Sequence, residues 1–286
     1  TSILKCYYQE IRRLKRKLTF FEVDVLIAEL EYKLYRSVFY SKGEIYITLE
    51  EFKAQLLKIK TILIERNQSL YLDELEALLI KVNLFGFHFA SLDIRQNSKI
   101  HDAVFKDVVQ YYLNSNSEVF PKNYFELTES EKIEVLSTIK GNLDPNVFEN
   151  EITKSTIESM QAIRQIQQNN GEFGANRYII SNNESALNVM ETFALFKLNN
   201  WENPTVDIIP LFESVDDLQN AYIIMEKLYT NPIYMAHLAS RNNKQTIMLG
   251  FSDGTKDGGY LMANWSIYKA KEELTAMSRK YGIKAL

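Results

Sequence analysis

Residues 246–281 read TIMLGFSDGTKDGGYLMANWSIYKAKEELTAMSRKY, and the period of their apolar residues changes part-way along. Residues 246–251 are an apolar run relieved only by Thr and Gly, the pattern of a strand buried on both faces as parallel strands are. Residues 252–259, SDGTKDGG, read as a turn-rich polar loop. From Leu261 onward the period is helical, with Ala263, Ile267, Ala270, Leu274, Met277 and Tyr281 on one stripe. The unit is strand, polar loop, helix.

The same rhythm extends upstream. Residues 178–181 and 206–212 read as strands, residues 184–198 and 215–229 as helices, and a further short helix is expected near 234–238. Alternation of this kind implies parallel pairing through right-handed crossovers. A strand-like pattern at residues 87–93, ending in Arg95, brings the expected number of strands to about four, half of an eight-stranded barrel. Between them, residues 97–175 are a long helical excursion: SKIHDAVFKDVVQYYL is one helix, Thr128 with Glu131 caps a second, and residues 145–168 suggest a third.

The first eighty or so residues are helical throughout. Leu4, Tyr7, Ile11, Leu14, Leu18 and Phe21 form a narrow seam, and Leu26, Leu30, Leu34 and Val38 continue it up to a break at SKGEIY, residues 41–46. Thr48 with Glu51 predicts a capping box for the next helix, and another runs over 72–82. Arg12, Arg13, Lys15, Arg16 and Lys17 crowd the outer faces of the first helix. In a chain of net charge −4 they read as a solvated face rather than a nucleic-acid site.

Composition sets the outer bounds. The 286 residues are 46% hydrophobic and 24% charged, enough apolar material for a sizeable core. Cys6 is the single cysteine and cannot make an internal disulfide, and no apolar run approaches the roughly 18 residues of a membrane span. A cytoplasmic location is the expectation. The chain opens on Thr and stops at IKAL, where a new strand would be starting after Gly282. A piece of a longer protein is therefore expected.

Chemistry in such a fold collects beyond the C-terminal ends of the strands. Glu213 stands at the end of one strand and Asp253 just past the next, and neighbouring strands lie about 4.8 Å apart, so the two carboxylates are able to share one small cation. An all-oxygen donor set points to Mg2+ or Mn2+. The residues alone leave other readings open: Glu213 capping the helix that follows it, Asp253 ordering its own loop, and Arg95 forming an ion pair within the fold rather than clamping a carboxylate or phosphate. The loop fits neither a phosphate-binding nor a dinucleotide glycine motif, nor an EF-hand. His88, His101 and His237 have no second His or Cys at metal-ligand spacing.

The segment IMLGFSDGTKDGGYLMANWSIYKAKEEL resembles the IGYSDSxKDAG segment of phosphoenolpyruvate carboxylases, and three more stretches agree in the same order: FGFHFASLDIRQNS at 85–98, YIIS at 178–181 and IIPLFESVDDL at 208–218. The resemblance covers most of the chain from Leu84 onward; the earlier residues carry no diagnostic motif. It implies an α/β, predominantly helical fold, about half of a (β/α)8 barrel with extra helices. Residues 1–83 are then a helical segment and 84–286 a partial barrel with a helical insertion at about 97–175. It also implies Glu213 and Asp253 as ligands of Mg2+ or Mn2+, Arg95 as a substrate contact, and Lys256 as a catalytic residue. The implied reaction joins bicarbonate to phosphoenolpyruvate through carboxyphosphate and the enolate of pyruvate, giving oxaloacetate and phosphate. That is anaplerotic carbon dioxide fixation, a lyase activity feeding the tricarboxylic acid cycle, in a parent that the resemblance makes a homotetramer.

Departures from the family pattern bear on activity. None of the three His lies in a segment matching the family's N-terminal catalytic His, and neither its Gly- and Arg-rich loop nor its C-terminal portion is among these 286 residues. Ser91 stands where a basic residue is common before LDIRQ. The expectation is a chain inactive by itself and, with an open sheet edge, prone to self-association. A non-catalytic helical assembly module derived from the enzyme is the rival reading.

Overall fold

The computed structural model describes residues 2–40, 46–115 and 117–286, so most of the expected break at 41–46 lies outside the described residues. The chain divides into two compact units, residues 1–91 with 165–174 and residues 92–164 with 175–286.

The first unit is helical. Helices α1 (Ser2–Lys15), α2 (Val23–Tyr35), α3 (Leu49–Arg66) and α4 (Leu72–Phe85) bury one apolar core that includes Tyr7, Ile11, Leu14, Leu30, Phe52, Leu56 and Leu75. The Tyr7 hydroxyl donates to the carbonyl of Gly86 at 2.8 Å, satisfying a polar group inside that core, and burial pushes its pKa up to about 12. The seam ends at Leu18: Phe21, expected to extend it, is 86% exposed because α1 stops at Lys15 and the chain turns. Thr48 caps α3 by accepting from the Glu51 N–H, but the expected return contact of a capping box is missing. Glu51 instead pairs with Lys33 of α2.

The second unit is built on a parallel sheet of β1 (Asp93–Asn97), β2 (Arg177–Ser181), β3 (Asp207–Phe212) and β5 (Met248–Leu249), paired in that order. Among the described residues, the α-helices between β1 and β2 are α5 (Ser98–Asn114), α6 (Glu129–Thr138) and α7 (Glu151–Asn170). α8 (Ala186–Leu198) links β2 to β3, and α9 (Val215–Thr230) with α10 (Pro232–Ser240) follows β3. α11 (Ser252–Lys280) closes the chain, and β4 (Lys244–Gln245) pairs with β6 (Lys284–Ala285) as a separate parallel ribbon. Asp93 pairs with Arg177 and Arg177 with Asp207, so the three strands start level. Ile179, Ile209 and Leu211, with Met248 against them, form an apolar cluster. Tyr178, next along β2, stacks edge-on against Phe196 of α8. Parallel strands buried on both faces are thus apolar in consecutive positions. A buried amide ties β4 to this sheet: Gln245 donates to the Ile208 carbonyl at 2.9 Å and accepts from the Tyr234 hydroxyl at 2.8 Å.

Three expected boundaries move. The strand expected at 87–93 begins at Asp93, because Gly86 and Phe89 take positive φ values of 48° and 67° and turn the chain first; Arg95 is consequently inside the strand rather than beyond it. The apolar run 246–251 pairs with β3 only at Met248 and Leu249, and is half-buried rather than enclosed. The SDGTKDGG loop is itself helical from Ser252 up to Gly259, whose φ of 79° and ψ of 166° break it from the long helix beyond. A mostly helical fold with a small parallel sheet agrees with the expected α/β class. Among the described residues no helix is long and apolar enough to cross a membrane.

His101 and Glu191 are the titratable surprises of the interior. His101 hydrogen-bonds the Tyr178 hydroxyl through Nε2 at 3.0 Å, and burial pulls its pKa down to about 4. Glu191 of α8 is 4% exposed, and its Oε2 has no hydrogen-bond partner among the described residues. Burial first, and the charge of Asp102 second, push its pKa from 4.5 to about 8, against the weaker pull of Lys132 and Lys106. The native chain therefore holds a proton that the unfolded chain releases above the ordinary value, and stability falls as pH rises through the window from 4.5 to about 8. Glu191→Gln should flatten that window and raise stability at pH 8 by on the order of a few kcal/mol in urea titrations, with little effect near pH 4.

Candidate functional site

Level strand starts bring the strand ends together as well. Glu213 follows the last residue of β3, and Asn182 follows the last residue of β2. Asn182 adopts φ 54°, a left-handed conformation that Asn tolerates, and donates its backbone N–H to Glu213 Oε2 at 2.6 Å. Glu213 Oε1 lies 3.4 Å from Nη2 of Arg95, which reaches over β2 from the far strand. The carboxylate is about one-fifth exposed and the guanidinium about half.

Glu213 does not cap α9. Ser214 does, accepting from the Asp217 N–H at 3.1 Å while the Asp217 carboxylate accepts from the Ser214 N–H at 3.0 Å. Asp257 adds to this cap by accepting from the Val215 N–H at 3.2 Å, a structural use that its place among loop acids did not reveal. With both cap positions filled, the Glu213 carboxylate is left to face Arg95 and Asn182.

Gly250 lets α11 start close by. Its N–H donates to the Phe212 carbonyl at 2.7 Å, and a Cβ there would sit 3.1 Å from Glu213 Cα and 3.2 Å from its Cγ. Asp253 and Lys256 then fall in the first turns of α11, three residues apart on one helical face, with Nζ 2.8 Å from Oδ1. The hydrogen bond and charge of Lys256, and more distantly the charge of Arg95, hold the Asp253 carboxyl below its ordinary range. Asp253 in turn raises Lys256. Both side chains are largely exposed.

Two carboxylates with two cationic partners thus stand over the ends of neighbouring parallel strands. The donors are all oxygen, and Mg2+ is commonly bound by one or two carboxylates with waters completing its shell, so the pair Glu213 and Asp253 fits such an ion chemically. No group of three or more His, Cys, Asp or Glu placed for a metal occurs among the described residues. The family profile described as phosphoenolpyruvate carboxylase matches residues 4–286. The chain belongs to the phosphoenolpyruvate carboxylase family. It is 36% identical over 213 residues to phosphoenolpyruvate carboxylase of Nitrosomonas eutropha, covering 71% of this chain and 22% of that relative. To the Nitrosomonas europaea enzyme of the same name it is 34% identical over 255 residues, 85% of this chain and 27% of that relative. The chain therefore spans about a quarter of the length of these phosphoenolpyruvate carboxylases.

Sequence reasoning named the four charged residues but not what orients them. The Asn182 N–H and the Gly250 approach were missed; the one local signal was the Asn–Asn pair after a strand, which favours a left-handed turn. Because Asp253 is depressed chiefly by Lys256, the stabilisation from its ionised form is present above the ordinary carboxylate range and lost as pH falls through the native value. Lys256→Met should return the Asp253 titration toward the ordinary carboxylate value, read by carboxyl 13C chemical shift; an unchanged midpoint would show that the pair does not form in solution.

Proposed function

We propose that this chain is the central part of a phosphoenolpyruvate carboxylase, the enzyme that converts phosphoenolpyruvate and bicarbonate to oxaloacetate and phosphate. The observation that carries this reading is the convergence of Arg95 and Glu213 from three-strand pairing, with Asp253 and Lys256 on the turn that follows the fourth strand. On this reading β1, β2, β3 and β5 are consecutive strands of an eight-stranded β/α barrel. Residues 84–286 supply that part, with a helical insertion at 97–175, and residues 1–83 form a helical segment. The parent is a cytoplasmic homotetramer.

Glu213 and Asp253 would hold Mg2+ or Mn2+. Bound there, the ion supplies Lewis-acid stabilisation of enolate and phosphoryl oxygens. The chain's own residues neutralise the carboxylates when no cation is present, Arg95 on Glu213 and Lys256 on Asp253. Arg95 and Lys256 are also the two cationic groups at the strand ends that an anionic substrate would meet. The Arg95 guanidinium then meets the phosphate or carboxylate of phosphoenolpyruvate with its planar fork, and the Lys256 ammonium offsets charge as phosphate leaves. The Asn182 N–H holds the Glu213 carboxylate at the strand ends, where it would serve as a ligand.

The assembly-module reading has one observation in its favour. Tyr260, Leu261, Trp265 and Tyr268 of α11 are 68%, 82%, 57% and 56% exposed, an apolar face suited to contact with other protein. Metal binding separates the two readings. The purified chain should bind Mn2+ weakly, seen as loss of the free-ion electron paramagnetic resonance signal, and Glu213→Ala should abolish it; identical binding by the variant would remove the metal assignment. Oxaloacetate production by the same chain, followed by coupled reduction to malate, should be undetectable. Measurable carboxylation would overturn the proposal that the chain is inactive alone.

A further inference from the structure

A helix start leaves its first N–H groups without partners inside the helix. At α9 the capping box of Ser214 and Asp217 uses the N–H groups of those two residues, and the N–H of Val215, the first helical residue, is left over. Its acceptor is not local. Oδ2 of Asp257, 42 positions on and in the second turn of α11, accepts it at 3.2 Å.

The two segments joined by this bond also lie against each other through bare backbone. Gly250, Gly254 and Gly258 recur every fourth residue, and a Cβ built on each would meet the chain where β3 passes into α9. The nearest atoms would be Glu213 Cα at 3.1 Å, the Glu213 carbonyl oxygen at 3.3 Å and Val215 Cγ2 at 2.8 Å. Close approach here depends on the missing side chains. Contact of this kind resists separation but sets little against sliding or rotation, because dispersion is not directional. A hydrogen bond from a fixed N–H is directional, and the Asp257–Val215 bond supplies that constraint.

The bond sits on the elements that carry the two strand-end carboxylates. Asp253 is four residues before Asp257, one turn back on the same face of α11, and Glu213 is two residues before Val215. Glu213 is held from the other side by the Asn182 N–H and by Arg95, neither of which is on α11. Asp253 has only Lys256, a residue of its own helix, as its hydrogen-bonding partner. The placement of Asp253 relative to Glu213 therefore follows from how the start of α11 is fixed to the start of α9.

We infer that Asp257 is a positioning residue for the cation site: by accepting from the Val215 N–H it sets the start of α11 against the start of α9, and so holds Asp253 at its distance from Glu213. This rests on the reading of Glu213 and Asp253 as ligands of Mg2+ or Mn2+. Asp257 acts through its acceptor oxygen, not through its charge and not as a ligand.

Mn2+ titration of the purified 286-residue chain, read by the free-ion electron paramagnetic resonance signal, tests this with two variants. Asp257→Ala removes the acceptor and should weaken Mn2+ binding about fivefold or more, while the thermal melt stays close to that of the parent because the capping box remains. Asp257→Asn removes the charge but keeps an amide oxygen able to accept from Val215, and should bind Mn2+ within about twofold of the parent. Parent-like binding by Asp257→Ala would overturn the inference and leave the metal assignment standing. Equal weakening by both variants would make Asp257 a source of charge or a ligand, and binding lost together with the folded state would make it a structural residue; either result overturns the inference. Absence of Mn2+ binding by the parent chain, or its persistence in Glu213→Ala, would overturn the underlying reading and this inference with it.

Discussion

Parallel pairing of three short strands in level register is the constraint on which the second unit depends. Asp93, Arg177 and Asp207 align at one end, so Asn97 and Ser181 pair at the other, and the residues leaving β2 and β3 emerge side by side. No local preference puts Arg95 near Glu213, 118 positions away. The ladder does it, because hydrogen bonding of successive strands fixes their spacing to about 5 Å while the side chains above them converge. Apolar residues on both strand faces hold the ladder in place, and a slip of one residue would turn Ile179 and Ile209 to the wrong side.

Charges over this edge are arranged so that none is left without an answer. Glu213 has Arg95 and a backbone N–H, Asp253 has Lys256, and Asp257 has the start of α9. The exposed Asp253–Lys256 pair contributes little to folding. Its value is positional, since it fixes the Asp253 carboxylate at the start of α11 beside the strand ends. Elsewhere the interior tolerates polar groups under strain of a different kind: Glu191 is kept neutral by burial, and His101 is kept neutral beside Tyr178. Both lie away from the strand ends, on the helical layer, where a neutral group costs less than an ion.

The chain matches about a quarter of the length of its carboxylase relatives, and its own surface is consistent with a structure that has neighbours. The β5 edge of the sheet is short, and the aromatic face of α11 beyond Gly259 is exposed. The first unit differs: its helices close over a continuous core, and a cavity is lined by residues from the start of α3 and the end of α7.

Local periodicity determined most of the elements. Helices α1 to α10, the part of α11 beyond Gly259, and strands β2 and β3 follow from the spacing of their apolar residues, and Thr128, Ser185 and Ser214 cap as their local sequences specify. Four charged residues, Arg95, Glu213, Asp253 and Lys256, were legible as candidates from motif resemblance and from their places after strands. Tertiary structure decided the rest. Whether an apolar run forms a full strand depends on how far a partner runs beside it, which is why residues 246–251 pair only at Met248 and Leu249. Whether a glycine-rich stretch is loop or helix depends on what it packs under, which is why SDGTKDGG coils beneath Glu213 until Gly259 breaks it. Which partner an acid takes depends on residues far away in sequence, so the roles of Glu51, Asp257 and the Asn182 N–H became visible only when the chain closed on itself.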